Sequence, residues 1–217
     1  MHALIFAGGP VQPGKAISQS IASADLIIAA DSGAVTALNH GCVPAIVVGD
    51  FDSLTFPLQQ LEKRGSKIIR VAVEKDETDT ELAIEVALER GATTITLLGA
   101  LGGTRFDHTI ANILLLASYE TVPLRIIDGP ATCWLLGGHG STDIHGQPGD
   151  LLSLLPLTAA ARGVHTHGLY YALHGEILSF GKTRGISNVL TAEHAQVTLE
   201  EGLLLVIHTV VEELWEA

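Results

Sequence analysis

Cysteine is scarce in this chain: Cys42 and Cys133 are the only two in 217 residues. Two distant thiols cannot staple a small fold, so a disulfide framework is excluded and a reduced, cytoplasmic setting is expected. Basic residues are scarce as well, 12 against 24 acidic ones, for a net charge of -12. There is no run of five Lys or Arg. Binding a nucleic-acid backbone takes clustered cations, so nucleic acid is excluded as a partner. A long apolar run is missing from the start of the chain, where Ala3–Phe6 runs into Gly8 and Gly9 without a basic lead. Neither a signal peptide nor a membrane span is expected there. What is present is globular in character, 47% hydrophobic and 17% charged residues, in a length that suits one large domain or two small ones.

The first half alternates between two kinds of segment. Aliphatic runs at Ala3–Phe6, Leu26–Ala30, Ala45–Val48, Lys67–Val71, Thr94–Leu98 and Leu124–Ile127 read as strands. Helix-like stretches at Lys15–Ala22, Ala34–His40, Pro57–Arg64, Thr78–Arg90 and Phe106–Tyr119 lie between them. The clearest, Thr78–Arg90, pairs an apolar stripe (Leu82, Ala83, Val86, Ala87) with Glu81, Glu85 and Glu89 on a solvated face. Such alternation predicts a mostly parallel sheet with helices on both faces, a Rossmann-like three-layer α/β domain over residues 1–128. Helical periodicity then stops. Short strand-like runs at Cys133–Leu136, Leu151–Leu155, Ala195–Leu199 and Leu203–His208 predict a small all-β sandwich over residues 129–217.

In a parallel sheet, ligands bind outside the carboxyl ends of the strands. Acidic residues gather there: Asp31 after the second strand, Asp50 and Asp52 after the third, Asp76 and Asp79 after the fourth. If the segment stays extended, Asp50 and Asp52 point the same way. Two or three carboxylates held together repel, and a divalent cation removes that cost. Mg²⁺ takes one or two carboxylates plus substrate phosphates, so an acidic chain can bind ATP through it. Asp50, Asp52 and Asp79 are the candidate ligands. The plainer reading is structural: Asp76 and Asp79 have helix-capping spacing, and Ser53 or Asp52 can cap the helix at Pro57. After the fifth strand comes Gly99-Ala100-Leu101-Gly102-Gly103-Thr104-Arg105-Phe106-Asp107-His108. A glycine turn entering a helix offers N–H groups to an anion, and Arg105 adds a fork suited to phosphate.

Two patterns are set aside. Gly9-Pro10-Val11-Gln12-Pro13-Gly14-Lys15 nearly spells a P-loop, but Ala16 lacks the metal-binding hydroxyl and two prolines remove donors. Seven of ten histidines follow residue 130, among them His165 and His167, with no cysteine or acid at ligand spacing. Trp134 is expected in the core.

Taken together, Ala30-Asp31-Ser32-Gly33-Ala34, Gly49-Asp50-Phe51-Asp52-Ser53, Lys75-Asp76-Glu77-Thr78-Asp79, Gly102–His108, Gly168-Leu169-Tyr170-Tyr171 and Arg184-Gly185-Ile186-Ser187-Asn188 resemble the thiamine pyrophosphokinase family. The late Glu200-Glu201-Gly202-Leu203 run fits too, so the resemblance spans nearly the whole chain. It implies an ATP-binding catalytic domain, a β-sandwich that binds thiamine, and a homodimer with thiamine near the subunit interface. It implies Mg²⁺ on Asp50, Asp52 and Asp79. Asp31, Lys75, Arg105 and Asp107 then fall at the nucleotide and its phosphates. Tyr171 stacks on a thiamine ring, and Ser187 and Asn188 hydrogen-bond it. The implied reaction transfers the pyrophosphoryl group of ATP to thiamine. The acids alone leave two other readings open, a Mg²⁺-dependent phosphohydrolase and a sensor of thiamine or nucleotide that binds without turnover.

Overall fold

The computed structural model describes residues 1–52, 54 and 56–214, with only the backbone of Glu213 and Leu214; the cap expected of Ser53 lies outside the described residues. The chain divides into two compact units, Met1–Gly129 and Pro130–Ala217.

In the first unit the elements alternate: β1 (His2–Phe6), α1 (Lys15–Ala22), β2 (Leu26–Ala30), α2 (Gly33–Asn39), β3 (Ile46–Gly49), α3 (Leu58–Lys63), β4 (Lys67–Arg70), α4 (Asp79–Glu89), β5 (Thr94–Leu98), α5 (Phe106–Leu115), a 3₁₀ turn (Leu116–Tyr119) and β6 (Leu124–Asp128). The strands lie in the order β6-β5-β1-β2-β3-β4, and each neighbouring pair is parallel. Side chains alternate across a strand. Leu4, Phe6, Ala29, Val47, Leu98 and Ile127 therefore share one core with Ile17 of α1, Ala34 and Ala37 of α2 and Leu61 of α3. The intervening Ile5, Ile28, Val48 and Leu97 are also buried, on the side where α4 crosses β1, β2 and β3. This is the expected three-layer α/β arrangement. The order reverses at β1, which pairs with both β2 and β5, so the switch point of the sheet lies there.

Helix α4 begins differently from the expected Asp76–Asp79 cap. Thr78 is the N-cap, and its Oγ1 accepts from the Glu81 amide at 3.2 Å. The capping pair is Thr78 and Glu81, which leaves the Asp79 carboxylate to the site. The buried stripe is Thr80, Ala83, Ile84 and Ala87, with Leu82 and Val86 at its half-buried margin. Glu85 and Glu89 face solvent as expected, and Glu81 is half-buried.

The second unit contains β7 (Ala131–Gly137), β8 (Gly140–His145), β9 (Leu151–Pro156), β10 (Ala160–His167), β11 (His174–Ser179), β12 (Asn188–Val189), β13 (His194–Leu199), β14 (Leu203–Thr209) and a short α6 (Val211–Leu214). Two antiparallel arrays form, β12-β9-β14-β7 and β11-β10-β13-β8. Leu136, Leu152, Leu154, Leu204 and Val206 from the first meet Ile144, Ala161, Val164, Leu178, Val197 and Leu199 from the second in one core. That shared core makes the unit a β-sandwich. Trp134 is only half-buried; it packs against this core and donates from Nε1 to Thr142 at 3.1 Å. His145, His165, His167, His174 and His194 are all exposed, on the strands of the second array.

Candidate functional site

The carboxyl ends of β1 to β5 are shaped by close backbone contacts. A Cβ on Gly33 would lie 2.0 Å from the Phe6 carbonyl oxygen, so the start of α2 reaches the end of β1 only as glycine. Asp31, just before it, adopts a left-handed φ of 45° and is 7% exposed. A Cβ on Gly49, the last residue of β3, would sit 3.0 Å from the Asp31 Cβ. The Asp31-Ser32-Gly33 and Gly49-Asp50 pieces of sequence are thus two halves of one tight seam.

Asp50 follows that seam. The extended segment expected from Asp50 to Asp52 is not formed, because Phe51 takes a φ of 66°. The Asp52 amide folds back onto Asp50 Oδ1 at 3.1 Å, and the Asp52 side chain is exposed. The Asp52 side chain stays close enough to act on the Asp50 carboxylate, but Asp50 is half-buried and Asp52 exposed. Arg70, at the end of β4, clamps this turn. Its Nη1 donates to the Asp50 carbonyl at 3.2 Å and its guanidinium lies 5.1 Å from the Phe51 ring centroid.

Lys75 joins the inner acids. Its Nζ stands 3.1 Å from Asp50 Oδ2 and 3.1 Å from Asp79 Oδ1. The Asp52 amide and the ammonium hold Asp50 below the usual carboxylate range, against the effect of burial. Burial pushes Asp79 up; Lys75 opposes this, while the nearby Asp50 and Asp31 charges add to it. For Lys75, partial burial works against the charge, but Asp79 and Asp50 outweigh it and raise its pKa. Asp79 Oδ1 is buried and receives no aligned hydrogen bond despite the nearby ammonium. Among the described residues, no three His, Cys, Asp or Glu side chains form a group able to hold a metal ion. The structure brings together Asp50, Asp79 and Lys75, with the Asp31 charge close enough to be felt and the exposed Asp52 beside Asp50.

The glycine-rich turn after β5 is also a seam. Gly99, Gly102 and Gly103 have φ of 66°, 74° and 79°. The Gly9 amide donates to the Gly99 carbonyl at 2.9 Å, and Pro10 lies 3.6 Å and 3.5 Å from where Cβ atoms on Gly102 and Gly103 would stand. The loop that mimics a P-loop therefore backs the turn. Asn112, buried on α5, donates to the Ala100 carbonyl at 2.7 Å and fixes the turn from the other side. Arg105 is bidentate to Asp107, 3.0 Å from Nε to Oδ1 and 2.7 Å from Nη2 to Oδ2. Both are exposed, and the guanidinium holds the Asp107 carboxyl down to about 2. The fork that suits a phosphate is occupied here by a carboxylate.

In the second unit, Tyr171 is 64% exposed and packs edge-on to Tyr170 with ring centroids 4.9 Å apart. Asn188 is 8% exposed, and both ends of its amide are engaged. Oδ1 accepts from the Tyr171 amide at 2.9 Å, and Nδ2 donates to the Tyr171 carbonyl at 2.8 Å. Ser187 has a φ of 56°, is exposed, and donates its amide to Ser153 Oγ at 3.0 Å. Gly185 lies against Leu154, where a Cβ would be 2.2 Å from the carbonyl oxygen. Asn188 thus sets the backbone of Tyr171.

Arg70, Asn112 and the bridging position of Lys75 are not apparent from the sequence. The one available signal is Asn112, a lone amide in the apolar Ile110–Leu116 stretch.

Comparison with known proteins bears on both units. The family model "Thiamin pyrophosphokinase, catalytic domain" matches residues 17–127, and "Thiamin pyrophosphokinase, vitamin B1 binding domain" matches residues 142–204. Thiamine pyrophosphokinase of Bacillus subtilis (strain 168) is 30% identical over 209 residues, covering 94% of this chain and 97% of that protein. The crystal structure of thiamine pyrophosphokinase from Bacillus subtilis superposes with a TM-score of 0.83 at 28% identity, covering 97% of this chain and 100% of that one. A thiamin pyrophosphokinase family protein from Enterococcus faecalis gives 0.83 at 26% identity, covering 96% and 99%. The chain belongs to the thiamine pyrophosphokinase family, ATP-dependent diphosphotransferases that make thiamine diphosphate from ATP and thiamine.

Proposed function

We propose that the residue cluster at the carboxyl ends of β2 to β5 is where this chain handles the triphosphate, and that the Tyr171 region is where it holds thiamine. One observation carries the reading: Asp50, after β3, and Asp79, in the first turn of α4, converge on a single cation, the Lys75 ammonium, at the ligand-binding edge of a parallel sheet. Their carboxylate oxygens are the hard donors that Mg²⁺ prefers, and two of them leave room for phosphate oxygens. The buried Asp79 Oδ1 without an aligned donor fits such an ion. Asp50 and Asp79 would hold it from inside, and Asp52 from the exposed rim. Bound there, the ion would neutralise phosphate oxygens.

Residues 1–128 then form the catalytic, ATP-binding domain and 129–217 the thiamine-binding domain. Asp31 lies beside the nucleotide. Arg105 leaves Asp107 for a phosphate, a more highly charged partner of similar shape. Lys75 supplies a second positive charge. The hydroxyethyl oxygen of thiamine, aligned with the β-phosphorus, displaces AMP. The chain's contribution to this step is positioning and charge neutralisation rather than covalent chemistry. Tyr171 stacks on the cationic substrate, which adds cation–π attraction. Ser187 faces solvent next to it and hydrogen-bonds the substrate, and Asn188 assists by fixing the Tyr171 backbone.

The protein acts as a cytoplasmic homodimer in this reading. Exposed Phe106, Ile110 and Leu114 recur every fourth residue from the start of α5, an apolar ridge of the kind a subunit contact covers. No described helix is long and apolar enough to cross a membrane. Incubation with ATP, Mg²⁺ and thiamine tests the proposal. AMP and thiamine diphosphate should appear in equal amounts and only with Mg²⁺ present; turnover undiminished in EDTA would refute the metal assignment.

A further inference from the structure

Lys75 is held in an unusual place for a lysine. Its Nζ touches Asp50 and Asp79 at 3.1 Å each and donates to the Ala72 carbonyl at 3.3 Å. Exposed ion pairs are mobile and contribute little. Here the three side chains are only 14%, 11% and 23% exposed. One acid follows β3 and the other opens α4, and without a cation between them like charges would face each other in a partly buried setting. Arg70 does not fill that role, because it donates to the Asp50 carbonyl and not to its carboxylate.

We propose that Lys75 is a resident stand-in for the divalent cation. In the metal-free protein its ammonium keeps Asp50 and Asp79 together; when the cation and triphosphate arrive, the side chain withdraws and turns to the phosphate oxygens. The inference rests on the Mg²⁺ reading of Asp50 and Asp79. An ammonium is a compact point charge on a flexible stem, so it can leave with no backbone movement, which a bidentate guanidinium in the same place could not do as readily. The two carboxylates cannot serve both cations fully, so Lys75 and the metal compete. Two consequences follow with opposite signs. Removing the ammonium weakens the metal-free fold, and it strengthens metal binding. An ion pair with a merely structural role would weaken both.

The test compares Lys75→Met with the natural chain by thermal melting and by Mn²⁺ binding, counted from the free-ion EPR signal. Mn²⁺ is a suitable probe because it favours the same oxygen ligands. In EDTA the variant should melt at least about 2 °C lower, the scale of a change near 1 kcal/mol in a chain of this size. Saturating Mn²⁺ should close most of that gap, and the variant should bind Mn²⁺ at least about fivefold more tightly, because no ammonium competes for the carboxylates. Equal or weaker Mn²⁺ binding, or a melting gap that Mn²⁺ leaves unchanged, would overturn the exchange. Absence of any Mn²⁺ binding to the natural chain would overturn the metal reading itself. If Lys75→Met does not fold, the Lys75→Met/Asp79→Asn double variant should, because it removes the facing charge; failure of both refutes the proposal.

Discussion

Gly33→Ala tests whether the site is built from backbone contact. The added Cβ would stand 2.0 Å from the Phe6 carbonyl oxygen and 2.7 Å from its carbon. Ordinary contact begins at 3.4 Å, so the start of α2 must retreat by about 1.4 Å. Both neighbours are backbone, at the end of a buried parallel strand, so no side chain can yield instead. Overpacking of this kind costs about 1–3 kcal/mol, which lowers the melting temperature by about 2–12 °C for a chain of this length. Activity should suffer more. Asp31 lies two residues before Gly33, against Gly49 and hence against the turn that aims Asp50. A misplacement of about 1 Å at a catalytic group can cost about 100-fold. The assay is AMP release at saturating ATP and thiamine, run well below the variant's melting temperature. A stable Gly33→Ala protein with undiminished turnover would show that the seam does not position the acids.

Further expectations concern individual side chains. Asp50→Asn should reduce kcat by about 100-fold or more, as losses of charge-stabilising groups do, and by more than Asp52→Asn, whose side chain is the more exposed and does not contact Lys75; a larger loss for Asp52→Asn would make Asp52 the principal acid. Asn188→Ala strips both hydrogen bonds from the Tyr171 backbone and should cost about 1–3 kcal/mol in stability while raising the KM for thiamine more than that for ATP; unchanged values for both would remove it from the site. Tyr171→Ala should raise the thiamine KM with the ATP KM unmoved, and steady-state titration of each substrate would expose the opposite. Asp79 is raised by burial, so its proton is held more tightly in the folded state than in the unfolded one. Its contribution is then favourable below the ordinary carboxylate range and is lost as pH rises through the raised value. In EDTA, Asp79→Asn should therefore gain melting temperature relative to the natural chain as pH climbs from 3.5 to 7; a gap independent of pH would contradict this.

The first unit was readable because strands buried on both faces are unbroken aliphatic runs, as in Leu4-Ile5-Phe6 or Ile46-Val47-Val48. In the second unit β7, β9 and β14 showed because they are rich in leucine, and β13 because Ala195, Val197 and Leu199 alternate with polar residues. The strands β8, β10, β11 and β12 did not. Gly140–His145 buries only Ile144, Ala160–His167 is broken by a bulge at Gly163, and Asn188–Val189 is two residues long. Alternation with one apolar residue per turn of the pattern is too thin a signal. At the site, the placement of acids at strand ends was legible, since it depends only on where runs stop. The left-handed turn at Phe51 was not, because nothing marks a phenylalanine for that backbone. Nor was the Asn188 amide, whose partner Tyr171 lies 17 residues away. Arg70 looked like the tail of a strand, and only its position beside the Phe51 ring gives it a task.

Two loops in this protein are joined to their neighbours main chain to main chain, Gly9 to Gly99 and Gly185 to Leu154, with no room for a side chain at any of the three glycines. Deuterium should therefore enter the Gly9 amide, which lies in neither strand nor helix, more slowly than the unbonded amides of the exposed loops.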